Sequence, residues 1–162
     1  DELAAPAGLG PRHALLTRDR SKQILTVSGE LSASVQSWSR RASEDAWSRG
    51  WRLVDQTPSS SDATAVPSAI VPGPDGQLLV ANRGVGTCGV LSGPLGHHKL
   101  IDEFPLGGVQ PRDVTSDGDQ LWVAEQADGA VLCLHRSSEG WRQRLRLDLP
   151  GASRVLIGPT LG

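Results

Sequence analysis

Gly10-Pro11-Arg12-His13 and the downstream Gly29-Glu30-Leu31 frame a unit that recurs twice along the chain. Val66-Pro67-Ser68-Ala69 leads to Ala81-Asn82-Arg83, and Gln110-Pro111-Arg112-Asp113 leads to Ala124-Glu125-Gln126. Each copy opens on proline, runs through an apolar stretch, turns, and returns through a second apolar stretch. A polar residue closes it: Glu30, Arg83 or Gln126. In an antiparallel hairpin the start of the first strand lies beside the end of the second. The pattern therefore predicts one rim holding Arg12, His13 and Glu30, with Arg83, Arg112 and Gln126 on the same rim of the later copies.

Outward from each hairpin the repeat doubles. The first copy has strand candidates at 12–17, 23–28, 33–39 and 51–56, with a charged loop from Arg40 to Gly50. The second has Ser68 to Val71 and Gln77 to Ala81 around Pro74-Asp75-Gly76, then Cys88 to Leu91 and Lys99 to Phe104. Asp-Gly between apolar runs is the strongest short hairpin signal. The third has Ser116-Asp117-Gly118 in the same place, with strands near 120–124, 130–135 and 141–147. Residues 1–9 read as a small flexible lead-in. Four short strands per unit of roughly 45 residues is the period of a β-propeller blade. The expectation is an all-β chain forming one partial propeller domain over 1–162. Its antiparallel blades span about 10–58, 66–106 and 109–150, and an extra apolar strand covers 152–158. A ring usually closes with 4–8 blades, so three leave it open.

Composition narrows the class. At 162 residues and net charge -2 the chain offers no basic surface for nucleic acid or an anionic membrane. No apolar run approaches the ~18 residues of a transmembrane helix. The absence of Met predicts that residue 1 is not the start of translation, so a processed product, one half of a split protein or a fragment is expected. Cys88 and Cys133 fall in the third strands of neighbouring repeats, too far apart for a disulfide. They read as buried free thiols of a reducing, cytoplasmic compartment. Trp38, Trp51, Trp122 and Trp141 read as packing between blades, and Trp47 as exposed in the polar insertion.

Four of these motifs, collinear across about 6–160, resemble the lactonase family of seven-bladed propellers. That family includes bacterial 6-phosphogluconolactonase and fungal carboxy-cis,cis-muconate cyclase. Gly8-Leu9-Gly10-Pro11-Arg12-His13 resembles its Gly-Pro-Arg-His signature, and Glu30-Leu31-Ser32-Ala33-Ser34-Val35 its Asn-Glu-Leu segment. Asp75 to Gly84 resembles its strand ending in Ser-Asn-Arg-Gly, and Pro111-Arg112-Asp113 through Gln126 its final Pro-Arg-Asp-Phe blade. Gly29 stands where the family usually has Asn, and Glu125 at the equivalent place in the last blade. The resemblance implies a C-terminal half, without the earlier blade that carries one of the family's proposed active-site histidines. It implies hydrolysis of a small anionic lactone of carbohydrate metabolism, such as 6-phosphogluconolactone, by the full-length form, with this chain inactive alone.

Lactone hydrolysis needs a base for water, donors for the carbonyl oxyanion and cations for an anionic substrate. Glu30 is the available base, or else half of an ion pair with Arg12 that fastens the hairpin. Arg12 and Arg83 offer planar forks to a carboxylate or phosphate, although Arg83 also reads as a solvated loop residue. His13 either assists proton transfer or packs as a strand residue. Arg112 is a substrate contact or pairs with Asp113 or Glu125, and Gln126 completes the substrate side. His97, His98 and His135 carry no metal spacing and read as surface residues. No cofactor and no metal is expected. The competing readings are a cyclase, a non-catalytic scaffold for a protein partner, and a truncated product without function. An open ring also predicts association with a second chain supplying the missing blades, or self-association.

Overall fold

A computed structural model describes residues 5–42 and 50–158. Twelve strands follow one another among these residues: β1 Pro11–Arg18, β2 Lys22–Gly29, β3 Ser34–Arg41, β4 Arg52–Pro58, β5 Val66–Pro72, β6 Leu78–Arg83, β7 Thr87–Ser92, β8 Lys99–Pro105, β9 Pro111–Asp117, β10 Gln120–Glu125, β11 Ala130–Ser137 and β12 Gly140–Asp148. They pair in chain order into three four-stranded sheets. Every pairing is antiparallel. These are the three expected blades.

The turn chemistry works as read. Asp75 (φ 54°) and Gly76 (φ 72°) both take left-handed backbone between β5 and β6. The Gln77 amide closes that turn on the Pro74 carbonyl at 3.0 Å. Positive φ at both central positions is the primed turn whose twist suits a hairpin. The three prolines explain a second recurrent feature. Pro11 and Pro111 open their first strands and Pro67 is second in its own, each at a register irregularity: between Pro11 and His13, between Pro67 and Ile70, and opposite the Ala124/Glu125 step. Proline lacks the N–H a regular ladder requires and is tolerated in sheets at edges and bulges.

Side-chain alternation stacks the blades. Val35 of the first blade packs with Ile70, Leu78, Val80 and Leu91 of the second. Leu79, Val90, Phe104 and Leu106 of the second pack with Val114, Leu121, Val123 and Leu132 of the third. Phe104 stacks on Trp141 with ring centroids 5.6 Å apart. Two serines stitch the first two strands of neighbouring blades. Ser28 Oγ donates to the Ser68 carbonyl (2.9 Å), and Ser68 Oγ donates to the Pro111 carbonyl (2.6 Å). Cys88 and Cys133 are buried free thiols on β7 and β11.

Several expectations need correction. Residues 152–158 form no strand. A strand exists only where a neighbour accepts its ladder, and this segment instead lies against the third blade. There Val155, Leu156 and Ile157 share a groove with Trp122 and Val131. Leu9 is not flexible lead-in. It is buried against Val27 and Trp38, so Trp38 packs within the first blade rather than between blades. His98 is buried too, its amide donating to Asp55 Oδ2 at 2.7 Å. Burial, reinforced by His97 and opposed by Asp55, pushes its imidazole below the usual histidine range. Trp47 and most of the charged loop lie outside the described residues.

Candidate functional site

The strand-opening irregularities place the site. His13 pairs with Ser28 and Pro11 with Gly29, so Arg12 is the extra residue of a bulge. Asp113 pairs with Ala124 and Pro111 with Glu125, so Arg112 is extra in the same way. A bulge re-aims a side chain that regular pleating would send to a packed face. Both arginines consequently project at the edge formed by β1, β5 and β9, the first strands of the blades.

Glu30 and Gln126 each follow the last paired residue of a second strand, and Arg83 is the last residue of its own, paired with Val66. Glu30 lies between two guanidinium groups. Its Oε1 accepts a short charge-assisted hydrogen bond from Arg83 Nη2, and its Oε2 lies 3.7 Å from Arg12 Nε. The Glu30 side chain stays 35% exposed while that of Arg83 is 12% exposed, so the carboxylate faces solvent over a held cation. Arg83 Nε is buried without a partner among the described residues.

Beside this triad a cavity of about 200 Å³ is lined by Arg12, His13, Arg112, Asp113, Ser153 and Arg154, with Ser68 at its wall. The Ile70 amide donates to His13 Nδ1 at 3.0 Å. A nitrogen that accepts carries no proton, so the neutral ring holds its proton on Nε2 and offers a donor there. The expected pairing of Arg112 with Asp113 or Glu125 does not form. Asp113 Oδ2 accepts instead from the Val155 amide at 3.1 Å. Glu125 is fully buried and accepts from the Gln110 and Ala127 amides. Burial raises its carboxyl above the usual range against the pull of those amides. Gln126 is equivalent to Glu30 by register, but among the described residues its side chain joins neither the triad nor the cavity.

Five of the six expected site residues thus come together: Arg12, His13 and Glu30 with Arg83 and Arg112. Arg154 is the cationic residue missed. The signal was present, since Ser153-Arg154-Val155-Leu156 repeats the small-residue, arginine and apolar order of Pro111-Arg112-Asp113-Val114. Among the described residues no three His, Cys, Asp or Glu side chains converge as a metal would require.

The profile of the family "Lactonase, 7-bladed beta-propeller" matches residues 1–154, and the chain belongs to that family. Among solved structures it is similar to a protein from Lactobacillus plantarum, at 25% identity and TM-score 0.78, covering 94% of this chain and 46% of that one. It is also similar to a putative 6-phosphogluconolactonase from Bacteroides fragilis, at 16% identity and TM-score 0.77, covering 94% and 43%. A third is the periplasmic gluconolactonase of Pseudomonas aeruginosa, at 20% identity and TM-score 0.75, covering 93% and 43%. The chain spans less than half the length of these relatives. No curated protein sequence matches it significantly. No helix among the described residues is long and apolar enough to cross a membrane.

Proposed function

We propose that this chain supplies the catalytic edge of a lactonase that opens a small anionic sugar lactone when the propeller is complete. The observation that carries the reading is Glu30, solvent-facing and held between Arg12 and Arg83. Glu30 takes a proton from water as the water oxygen bonds to the lactone carbonyl carbon. An arginine donor stabilises the oxyanion that forms. Collapse of the tetrahedral species breaks the ring C–O bond, and the proton held on Glu30 passes to the departing alkoxide. The products are one hydroxy acid and a regenerated carboxylate.

Steady-state hydrolysis of a phosphorylated sugar lactone by the chain completed to seven blades tests this. Glu30→Gln should lower kcat by about a hundredfold or more, as loss of a general base does. Arg83→Ala should act mainly through KM, by roughly ten- to a hundredfold for a charge-assisted hydrogen bond. The 162-residue chain alone should show little or no turnover. If neither substitution moves either parameter, the ion pairs merely fasten the blades. That outcome favours a non-catalytic scaffold, a reading supported by the engagement of Glu30 with both cations before any substrate arrives. Turnover of a carboxymuconolactone instead would point to cyclase chemistry. We place the protein in the cytoplasm because its thiols are free, and cell fractionation decides this against the periplasmic location of the Pseudomonas aeruginosa protein.

A further inference from the structure

We propose that a cavity between the first and second blades, at the end of the hairpins away from Glu30, binds a small neutral molecule with an apolar body and one hydroxyl group. The strands give its position. Glu30 follows β2 and Arg83 ends β6, whereas Leu15 and Thr17 near the end of β1 and Leu78 at the start of β6 line this cavity. In an antiparallel hairpin these are opposite ends. The cavity measures about 250 Å³. An apolar cavity of about 150 Å³ takes benzene, and drug-sized ligands need roughly 300–1,000 Å³. The space therefore suits a single substituted ring. It shares no lining residue with the cavity beside Glu30, so the site is independent of the lactonase reading.

One wall comes from a turn that is longer than its counterpart in the third blade. Residues 93–98 connect β7 to β8, whereas residues 138–139 suffice between β11 and β12. The longer turn is tied to the first blade. Lys22 Nζ donates to the Leu95 carbonyl at 2.9 Å, and the His98 amide donates to Asp55 Oδ2 at 2.7 Å. Leu95 and His98 of this turn both line the cavity. His98 is 6% exposed, and its Nδ1 is buried without a partner among the described residues. Buried polar side chains are nearly always partnered, so this imidazole calls for a group from outside the chain. Burial, the largest influence on its titration, favours the neutral ring. A hydroxyl can donate to one nitrogen of a neutral imidazole or accept from the other. No Lys, Arg, Asp or Glu side chain among the described residues lines the cavity. A charged ligand would therefore lose its hydration without gaining a counter-charge. Leu15, Leu78 and Leu95 supply the apolar contact, and Thr17 stands beside them as a further polar side chain.

The test is titration of the 162-residue chain with phenol, toluene and benzoate, followed by the NMR signals of the His98 ring and the Leu95 amide. Phenol should shift both signals and leave the Glu30 and Arg83 amides unmoved. It should bind about tenfold more tightly than toluene, the effect of one hydrogen bond to a buried group. Benzoate should bind at least about tenfold more weakly than phenol, because its charge finds no partner. His98→Phe should bring phenol and toluene to equal affinity. Leu95→Trp places a larger side chain in the space and should abolish binding of both, and it tests the site even if His98→Phe does not fold. Phenol should also raise the denaturant midpoint of the wild type and not that of Leu95→Trp, since a ligand of the folded junction stabilises it by mass action. No shift with phenol, equal affinity for phenol and toluene in the wild type, or unchanged phenol binding in Leu95→Trp overturns the site. Phenol binding that survives in Glu30→Gln while lactone hydrolysis is lost leaves the cavity as a site of its own.

Discussion

Two glutamates show how the same side chain acquires opposite pH behaviour from its surroundings. Glu125 is buried beside Gly108, and burial outweighs the Gln110 and Ala127 amides to raise its carboxyl. The folded chain therefore binds this proton more tightly than the unfolded one, and stability falls as pH rises from the unfolded to the folded value. Glu103 is the reverse. Burial opposes its ionisation, but donors from Ser60, Ser61 and Thr87 together outweigh that effect and hold its carboxyl below the usual range. Its contribution is present at neutral pH and is lost as pH falls through its folded value. Denaturant titrations at a series of pH values should therefore show Glu125→Gln flattening the profile above the ordinary carboxylate range. Glu103→Gln should weaken the fold at neutral pH and make it less sensitive to acid. Gly29 is decided by space. A Cβ there would lie 2.3 Å from Leu9 Cδ1 and Ser32 Oγ and 2.9 Å from the Leu9 carbonyl oxygen. Gly29→Ala should cost about 1–3 kcal/mol by overpacking, read as a lowered denaturant midpoint.

At the scale of elements, the first strand of each blade carries most of the specificity. Strand assignments read from apolar runs and turn residues match the observed elements to within about two residues, because alternation and primed turns are local. The bulges are not local in that sense. Nothing in Pro11-Arg12-His13 alone says that Arg12 will be the unpaired residue, since that depends on the partner strand. Ser68 makes the corresponding point between blades. Its hydroxyl reaches the Pro111 carbonyl, and Ser68→Ala should cost about 1–3 kcal/mol by leaving a buried acceptor unmet. Proteolysis is expected to nick the junction of the second and third blades sooner in that variant. The failure of 152–158 to form a strand has the same origin as the bulges. Its apolar sequence is compatible with a sheet, but compatibility does not supply a neighbour.

For the molecule as a whole, three blades leave two faces without a blade against them. On the first blade Leu9 covers Val27 and Trp38, and both are buried. Leu145, Leu147, Leu156 and Ile157 are exposed on the third. Contiguous apolar surface of this kind marks an interface or an aggregation site. The expectation is a chain that self-associates or pairs with further blades, and that is weakly stable when diluted. Sedimentation velocity over a dilution series tests this, and a compact monomer at every concentration would rule it out. Leu145→Lys with Leu147→Glu should shift the distribution toward monomer without loss of the β spectrum. What the sequence determined by itself was the repeat: the strands, their order, the blade count and the rim on which Arg12, Glu30 and Arg83 would meet. All of these follow from short-range periodicity, proline placement and turn residues. Tertiary structure alone decided that His13 accepts the Ile70 amide at Nδ1, that Asp113 clamps Val155 and leaves Arg112 unpaired, and that Arg154 joins the cavity. His13 takes its partner from the second blade and Asp113 takes Val155 from the segment that follows the third, placements set by how twisted sheets and their flanking segments pack rather than by any neighbouring residue in the chain.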